Sequence, residues 1–317
     1  LSACVNDAEA MKTMIMAKFG FAQQDITQLY NQEASRENIL SAVNDLLQAS
    51  QKGDVVFLFY AGHGSQVRNS LSKEQDQRDE TIVPADSYKG AADIRDKELA
   101  ALFNKFLDKG VLLTVIFDSC HSGSAGRGLL PDIAVRYIEE GKQDAKDPSD
   151  PPKPEERGAL ILSAAQDFEF AKEVKDENNV SHGAFSLALL KALQQNAADA
   201  SAENLFSSIK AIMKYYGKTQ EPVLAGNDLR RKATLFGLPK GSGKNNLSIA
   251  VAKTDAGGIE LMGGYALGLA EGVKLKRSGA NDTIVVTKMI NANRSLATEV
   301  SGKKPDFPPG TLYEAGG

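Results

Sequence analysis

The chain has 317 residues, 42% of them apolar and 25% charged, with a formal net charge of −4. That balance is ordinary for a globular protein and gives no electrostatic reason to expect a nucleic-acid partner. No run approaches the roughly 20 apolar residues of a bilayer-crossing helix, and two cysteines, Cys4 and Cys120, cannot build a disulfide framework.

The spacing of Ala8, Met11, Met14 and Ile15 predicts a helix over residues 3–18, stopped by Gly20, and residues 36–47 repeat the pattern after a cap-like Ser35. The apolar run 54–60 reads as a buried strand, and a polar stretch follows from Asn69 to Glu80. An amphipathic helix over 96–105 precedes a second buried strand at 111–117, and a third strand covers 159–162. Residues 183–195 and 202–216 read as further helices. Alternating strands and helices predict an α/β fold, a mostly parallel sheet with helices on both faces.

Residues 139–158 (EEGKQDAKDPSDPPKPEERG) combine four prolines with many charges and no apolar period, which predicts a loose surface loop. The Gly- and Lys-rich stretch 239–246 is a linker. It separates a first domain, 1–238, from a second, 247–317, whose short runs at 247–252, 259–262, 273–276 and 283–287 predict a small all-β module. The fragment GSGK at 241–244 lacks the first glycine and the hydroxyl residue of a phosphate loop, and the sequons at Asn246, Asn281 and Asn293 are too short to carry weight.

Two buried runs end at reactive residues. The first empties into Ala61-Gly62-His63-Gly64 and the second into Asp118-Ser119-Cys120-His121-Ser122-Gly123. Side by side, these strands would bring an imidazole and a thiol to one sheet edge, where ligands of open α/β sheets bind. A thiolate is a nucleophile for acyl transfer and an imidazole can accept its proton. The flanking small residues let a substrate backbone approach, so that the N–H groups of Gly64 and Cys120 can form an oxyanion hole. Asp118 lies two residues before Cys120, and strand periodicity turns it to the same side.

The motifs YAGHGSQ and DSCHSG resemble those of the metacaspase and orthocaspase branch of the caspase-like cysteine peptidases, in a prokaryotic form. The likeness extends to LSACVND at the start, DETIVPAD at 79–86, GAFS at 183–186 and QEP at 220–222, and covers roughly residues 1–237. The resemblance implies His63 as general base, Cys120 as nucleophile and Gly64 with Cys120 as oxyanion donors. His121, in the alternating strand end, is expected to face away, and His182 to lie in a loop without a catalytic setting. The resemblance also implies that Asp7 and Asp118 line a pocket for a basic side chain, so that polypeptides are cut after Arg or Lys. Asp118→Ala is expected to spare folding while abolishing turnover of Arg substrates.

The acidic residues Asp79, Asp93 and Asp96 lie where many metacaspases bind activating calcium. Lys97 here replaces the second carboxylate of the family's Asp-Asp pair, and an ammonium opposes a divalent cation. No cofactor is therefore expected to be required, and calcium is disfavoured. Lys142, Lys146, Lys153 and Arg157 in the proline-rich stretch, with Arg127, are candidates for self-processing. Family members begin with an apolar strand that is absent before Leu1; either the sequence starts short of it or processing separated it, and the edge left unpaired favours an N-terminal companion strand from the same precursor. A catalytic thiol favours a reducing, cytoplasmic setting, with export left open by the start at Leu1. The competing reading, from a different class, is a catalytically silent scaffold that presents the β module to a partner.

Overall fold

The computed structural model describes residues 3–119, 136, 138, 143–165, 171–176, 178–215, 220–238, 248–255, 257–277, 282–300 and 312–315. In chain order the first part contains α1 (Ala3–Phe19), α2 (Arg36–Ala49), β1 (Val55–Ala61), β2 (Gly64–Arg68), β3 (Arg78–Ile82), β4 (Ile94–Arg95), α3 (Asp96–Asp108) and β5 (Leu112–Asp118). It continues with α4 (Pro154–Arg157), β6 (Leu160–Ser163), β7 (Glu173–Lys175), β8 (Ser181–Gly183), α5 (Ala184–Gln195), α6 (Ala202–Tyr215), β9 (Val223–Ala225) and α7 (Asp228–Lys232). The second part contributes β10 (Ser248–Asp255), β11 (Gly258–Leu261), β12 (Lys274–Arg277), β13 (Thr283–Asn291), β14 (Arg294–Glu299) and β15 (Leu312–Ala315).

The central sheet has the order β1-β5-β6-β9. β1, β5 and β6 run parallel, and β9 joins β6 antiparallel. Successive side chains of a strand point to opposite faces, and β5 shows the consequence. Leu113 and Val115 enter a core with Leu102, Phe103 and Phe106 of α3, while Ile116 enters the opposite core with Met11 and Met14 of α1 and Phe185 and Leu189 of α5. Both faces of the sheet are therefore covered by helices, as the buried, β-branched runs require. Ser35 caps α2 by accepting a hydrogen bond from the Asn38 N–H at 3.2 Å. Phe236 joins the layers, its ring meeting Phe19 at 4.7 Å, Phe21 at 5.2 Å and Phe57 at 5.4 Å, all in tilted or edge-on geometry.

No element is read from the sequence between His63 and residue 96, yet β2, β3 and β4 form an antiparallel sheet there in which Gln66, Asp79 and Thr81 are buried. Its polar alternation survives burial because charged partners from α3 reach into it. Of the stretch expected to be loose, residues 143–158 are tied down. Asp144 accepts from the Ser70 N–H, Asn104 donates to the Pro152 carbonyl, and Asp147 pairs with Arg95 at 2.7 Å. Residues 139–142 lie outside the described residues, as does the linker.

The second part closes into an antiparallel barrel in the order β10-β11-β14-β13-β12-β15, with β15 returning to β10. Val251, Leu261, Leu275, Ile284, Val286 and Tyr313 are buried in it, an alternation that a half-buried strand requires. A short turn of helix at Tyr265–Leu267 docks it on the first part, where the Gln194 amide donates to the carbonyls of Tyr265 and Ala266. Phe236→Ala is expected to lower unfolding free energy by about 3–5 kcal/mol, read from urea denaturation; an unchanged midpoint would remove Phe236 from its joining role.

Candidate active site

Parallel pairing sets the site. Ala61 of β1 stands opposite Asp118 of β5, so the loops leaving these strands emerge side by side at the carboxyl edge. The first loop is held by its own chain. The Tyr60 hydroxyl donates to the His63 carbonyl at 2.7 Å, the Val83 N–H donates to the same oxygen at 3.0 Å, and the Gly62 N–H donates to the Asp118 carbonyl at 3.3 Å. A Cβ at Gly62 would collide with the Tyr60 hydroxyl, which accounts for glycine before His63. His63 Nδ1 is buried with no hydrogen-bond partner among the described residues. Burial, together with the positive charge of Arg136, holds the imidazole below its usual value of 6.5. Cys120 and His121 lie outside the described residues.

Asp7 and Asp118, which lie far apart in sequence, are both fully buried and converge on one guanidinium, that of Arg136. Arg136 Nη2 donates to Asp7 Oδ2 at 2.6 Å, and Nη1 lies 3.1 Å from Asp118 Oδ2 and donates to the Asp118 carbonyl at 3.0 Å. Glu173 brings a third carboxylate to 3.8 Å. Burial pushes the Asp118 carboxyl up against the opposing pull of the Arg136 charge and of the N–H and hydroxyl of Ser186, which donate to Asp118 Oδ2 at 3.1 and 2.5 Å. Arg136 itself is shifted up, because its carboxylate neighbours outweigh its own desolvation.

The main chain of Arg136 is engaged as well. Its N–H donates to the Ala171 carbonyl at 3.2 Å, and its carbonyl accepts the Gly64 N–H at 2.9 Å. Two residues on, the Ile138 N–H donates to the Gly64 carbonyl at 3.0 Å and its carbonyl accepts from the Ser65 hydroxyl at 2.7 Å. This segment therefore lies along Gly64–Ser65 as an added strand would.

The structure brings Asp7, Asp118 and Gly64 together at Arg136. His182 departs from its expected loop: it is buried on β8, with Nδ1 2.8 Å from Asp7 Oδ1, and its ring meets Tyr265 of the barrel edge-on at 6.3 Å. It positions the Asp7 carboxylate, which also accepts the Gly183 N–H at 2.9 Å. Arg136, Gly183 and Ser186 were not singled out individually by sequence, although Gly183 and Ser186 stand in the GAFS block. The burial of Asp118 also alters the expectation for its removal. Truncating one member of a buried ion-pair network costs about 3–5 kcal/mol, so Asp118→Ala would not leave stability untouched.

Cys4 is the other thiol, and burial pushes it up to about 12, far from thiolate chemistry. In the calcium candidate region, Asp79 is fully buried and accepts from Lys97 Nζ at 2.5 Å, Arg95 Nη1 at 2.9 Å and the Asn69 amide. Asp93 is bonded elsewhere, to Ser87 and Thr81. Asp96 is pushed up to about 7, chiefly by burial, with Asp79 and Glu74 adding to the shift. Two side-chain cations thus already neutralise Asp79.

Residues 1–127 match the metacaspase, peptidase C14 domain family model. Over 131 residues the chain is 38% identical to metacaspase-1 of Ajellomyces capsulatus, covering 39% of this chain and 36% of that protein. It is 33% identical to metacaspase-1A of Neurospora crassa over 174 residues, covering 53% and 36% respectively. The N-terminal part of this chain is thus similar to metacaspase-type, caspase-like peptidase domains. The chain spans about a third of the length of these curated relatives. A crystal structure of protein GSU0716 from Geobacter sulfurreducens superimposes with a TM-score of 0.55 at 25% identity, over 75% of this chain and 91% of that one.

In this cluster a Cβ at Gly183 would stand 2.8 Å from the Arg136 guanidinium carbon and collide with Asp118 Oδ2. Gly183→Ala is therefore expected to cost about 1–3 kcal/mol through overpacking, measured by denaturant unfolding; a neutral result would mean the pocket yields freely. In Cys120→Ala, which has no thiolate to stabilise an imidazolium, the His63 titration followed by NMR should fall below 6.5. A midpoint at or above that value would contradict the burial of the ring.

Proposed function

We propose that this chain is a cysteine endopeptidase that cuts polypeptides after Arg or Lys. The observation that carries the reading is the pair of buried carboxylates, Asp7 and Asp118, closed on the guanidinium of Arg136, the residue whose main-chain carbonyl accepts the Gly64 N–H. A pocket of that composition favours a cation of the guanidinium or ammonium class and rejects an acidic side chain by unpaired like charge.

His63 takes the proton of the Cys120 thiol, and the thiolate attacks the carbonyl carbon that follows the basic side chain. The N–H groups of Gly64 and Cys120 receive the developing oxyanion. The tetrahedral adduct collapses, the peptide C–N bond breaks, and the imidazolium protonates the departing amine. Water, deprotonated by His63, then hydrolyses the thioester and returns the thiol. Substrate main chain lies along Gly64–Ser65, and the unprimed amide is met by the Ala171 carbonyl.

No metal enters this sequence. Lys97 and Arg95 occupy the acidic region with charges of the chain's own, so calcium is not required for turnover. The edge of β1, whose described strand partner is β5 alone, is where a companion strand would add.

Turnover of an Arg-containing fluorogenic peptide is expected to fall by on the order of 10³-fold or more in Cys120→Ala; equal rates would favour the silent scaffold. Asp118→Asn, which keeps the shape of the side chain, should lose about 30-fold or more in kcat/KM for Arg peptides. An excess of calcium or of chelator should change the wild-type rate by less than about twofold, since Lys97 and Arg95 already pair with Asp79 in the acidic region. A several-hundred-fold rise with calcium would overturn that part.

A further inference from the structure

We propose that Tyr265 of the barrel is a positioning residue for the acidic pocket: its hydroxyl, acting with Asp176 through His182, fixes the orientation of the Asp7 carboxylate. The inference rests on the peptidase reading above for the use made of Asp7, while the link itself rests on geometry.

Three buried polar atoms gather behind Asp7 with no hydrogen-bond partner among the described residues: His182 Nε2, Asp176 Oδ2 and the Tyr265 hydroxyl. Nε2 lies 3.9 Å from Asp176 Oδ2, and the Tyr265 ring stands edge-on to the imidazole at 6.3 Å. Burial, with the Asp176 carboxylate beside it, pushes the Tyr265 hydroxyl above its usual value.

The other polar atoms of His182 and Asp176 are already engaged. His182 Nδ1 lies 2.8 Å from Asp7 Oδ1; a carboxylate oxygen only accepts, so Nδ1 carries the proton and the neutral imidazole leaves Nε2 as an acceptor. Asp176 Oδ1 accepts the N–H groups of Asn178 and Val180 at 2.9 and 2.8 Å, which shape the turn between β7 and β8. Oδ2 is left over, and it accepts too. Tyr265 thus brings a donor to a junction of two acceptors. One water completes such a set, accepting from the phenol and donating to Nε2 and to Oδ2.

Tyr265 is itself held firmly. The Ala266 N–H donates to the Ala292 carbonyl at 3.0 Å within the barrel, and the Gln194 amide of α5 donates to the Tyr265 carbonyl at 2.7 Å. A Cβ at Gly264 would collide with the Asn291 and Ala292 carbonyls, so the turn sits directly on the barrel's main chain. A side chain that only filled the seam between the two parts would need no hydroxyl, since phenylalanine buries the same ring without a polar atom to satisfy. On the far side of the imidazole, His182 holds Asp7 Oδ1 while the Gly183 N–H holds Oδ2. The hydroxyl fixes the rotation of the ring, and the ring fixes the carboxylate.

The test uses Tyr265→Phe, which keeps the ring, with His182→Asn and the double variant, all in the full chain. In isotope-labelled wild type, imidazole NMR spectra should show His182 protonated at Nδ1, and its Nε2 resonance should move in Tyr265→Phe. For an Arg-containing fluorogenic peptide, Tyr265→Phe should raise KM about fivefold or more with kcat changed less than about twofold, the mark of lost binding alignment rather than lost chemistry. In the His182→Asn background the same change should have no further effect, because the hydroxyl has nothing left to act through. An equal loss in both backgrounds, or a fall in kcat with KM unchanged, would overturn the inference. So would an Nε2 resonance indifferent to Tyr265→Phe, or a His182 proton on Nε2 with Nδ1 bare. Should His182→Asn fail to fold, the imidazole spectra and the KM of Tyr265→Phe still decide. Wild type without turnover would overturn the peptidase reading, and the spectra alone would then settle whether Tyr265 holds His182.

Discussion

A guanidinium taken out of water must be paired, and the site is organised around that demand. Arg136 has no exposed surface, and the carboxylates of Asp7 and Asp118 that meet it have none either. Each charge alone would carry a desolvation cost of several kcal/mol, and only the joint geometry makes the cluster tolerable. Glu173 stands next to the same cation, so the cluster holds more negative than positive charge, and burial pushes the carboxyls of Asp118 and Glu173 up. The cluster therefore requires a buried cation, which Arg136 supplies. Its geometry belongs to the network: His182 and Gly183 aim Asp7, and Ser186 aims Asp118.

The sheet supplies the precision that such a network needs. β1 and β5 are in register at Ala61 and Asp118, so the histidine loop and the cysteine loop leave from neighbouring backbone positions. Asp7 comes from α1, packed against β8, and His182 comes from β8 itself. The barrel meets this arrangement from behind, where Tyr265 touches His182 edge-on and Gln194 ties the helical turn to α5. The second part of the chain thus bears on the residue that holds Asp7.

Local patterns in the sequence were enough for much of this. A β-branched run ending in glycines identifies a strand and its exit without tertiary information, which is why β1, β5, His63 and the two-residue offset of Asp118 were legible. The sheet with helices on both faces followed from the same runs. Arg136 was not legible, because its partner Asp7 is 129 positions away and no local signal marks the residues around it. His182 was missed for the same reason, its bond to Asp7 spanning 175 positions. The β2–β4 sheet was not legible, because its buried Asp79 is satisfied by Lys97 and Arg95, side chains that enter from α3 and its approach. Alternation of polar residues signals an exposed surface only where no opposite charge is delivered to it.

The order of strands in the central sheet bears on what a cut anywhere in the connection between β5 and β6 would do to the molecule. β1 and β5 precede that connection and β6 and β9 follow it, yet β5 and β6 are hydrogen-bonded neighbours from Thr114–Leu160 to Phe117–Ser163. The apolar core likewise mixes Met11, Met14 and Ile116 with Leu160, Phe185 and Leu189. Two polypeptides would result, but they would remain one particle, with the seam running through the middle of a buried sheet. Such a two-chain product would travel as a single species under native conditions and separate only in denaturant. Having been folded as one chain, it would also face a bimolecular search on refolding, so that processing would convert a reversible fold into one maintained by the slowness of its own dissociation.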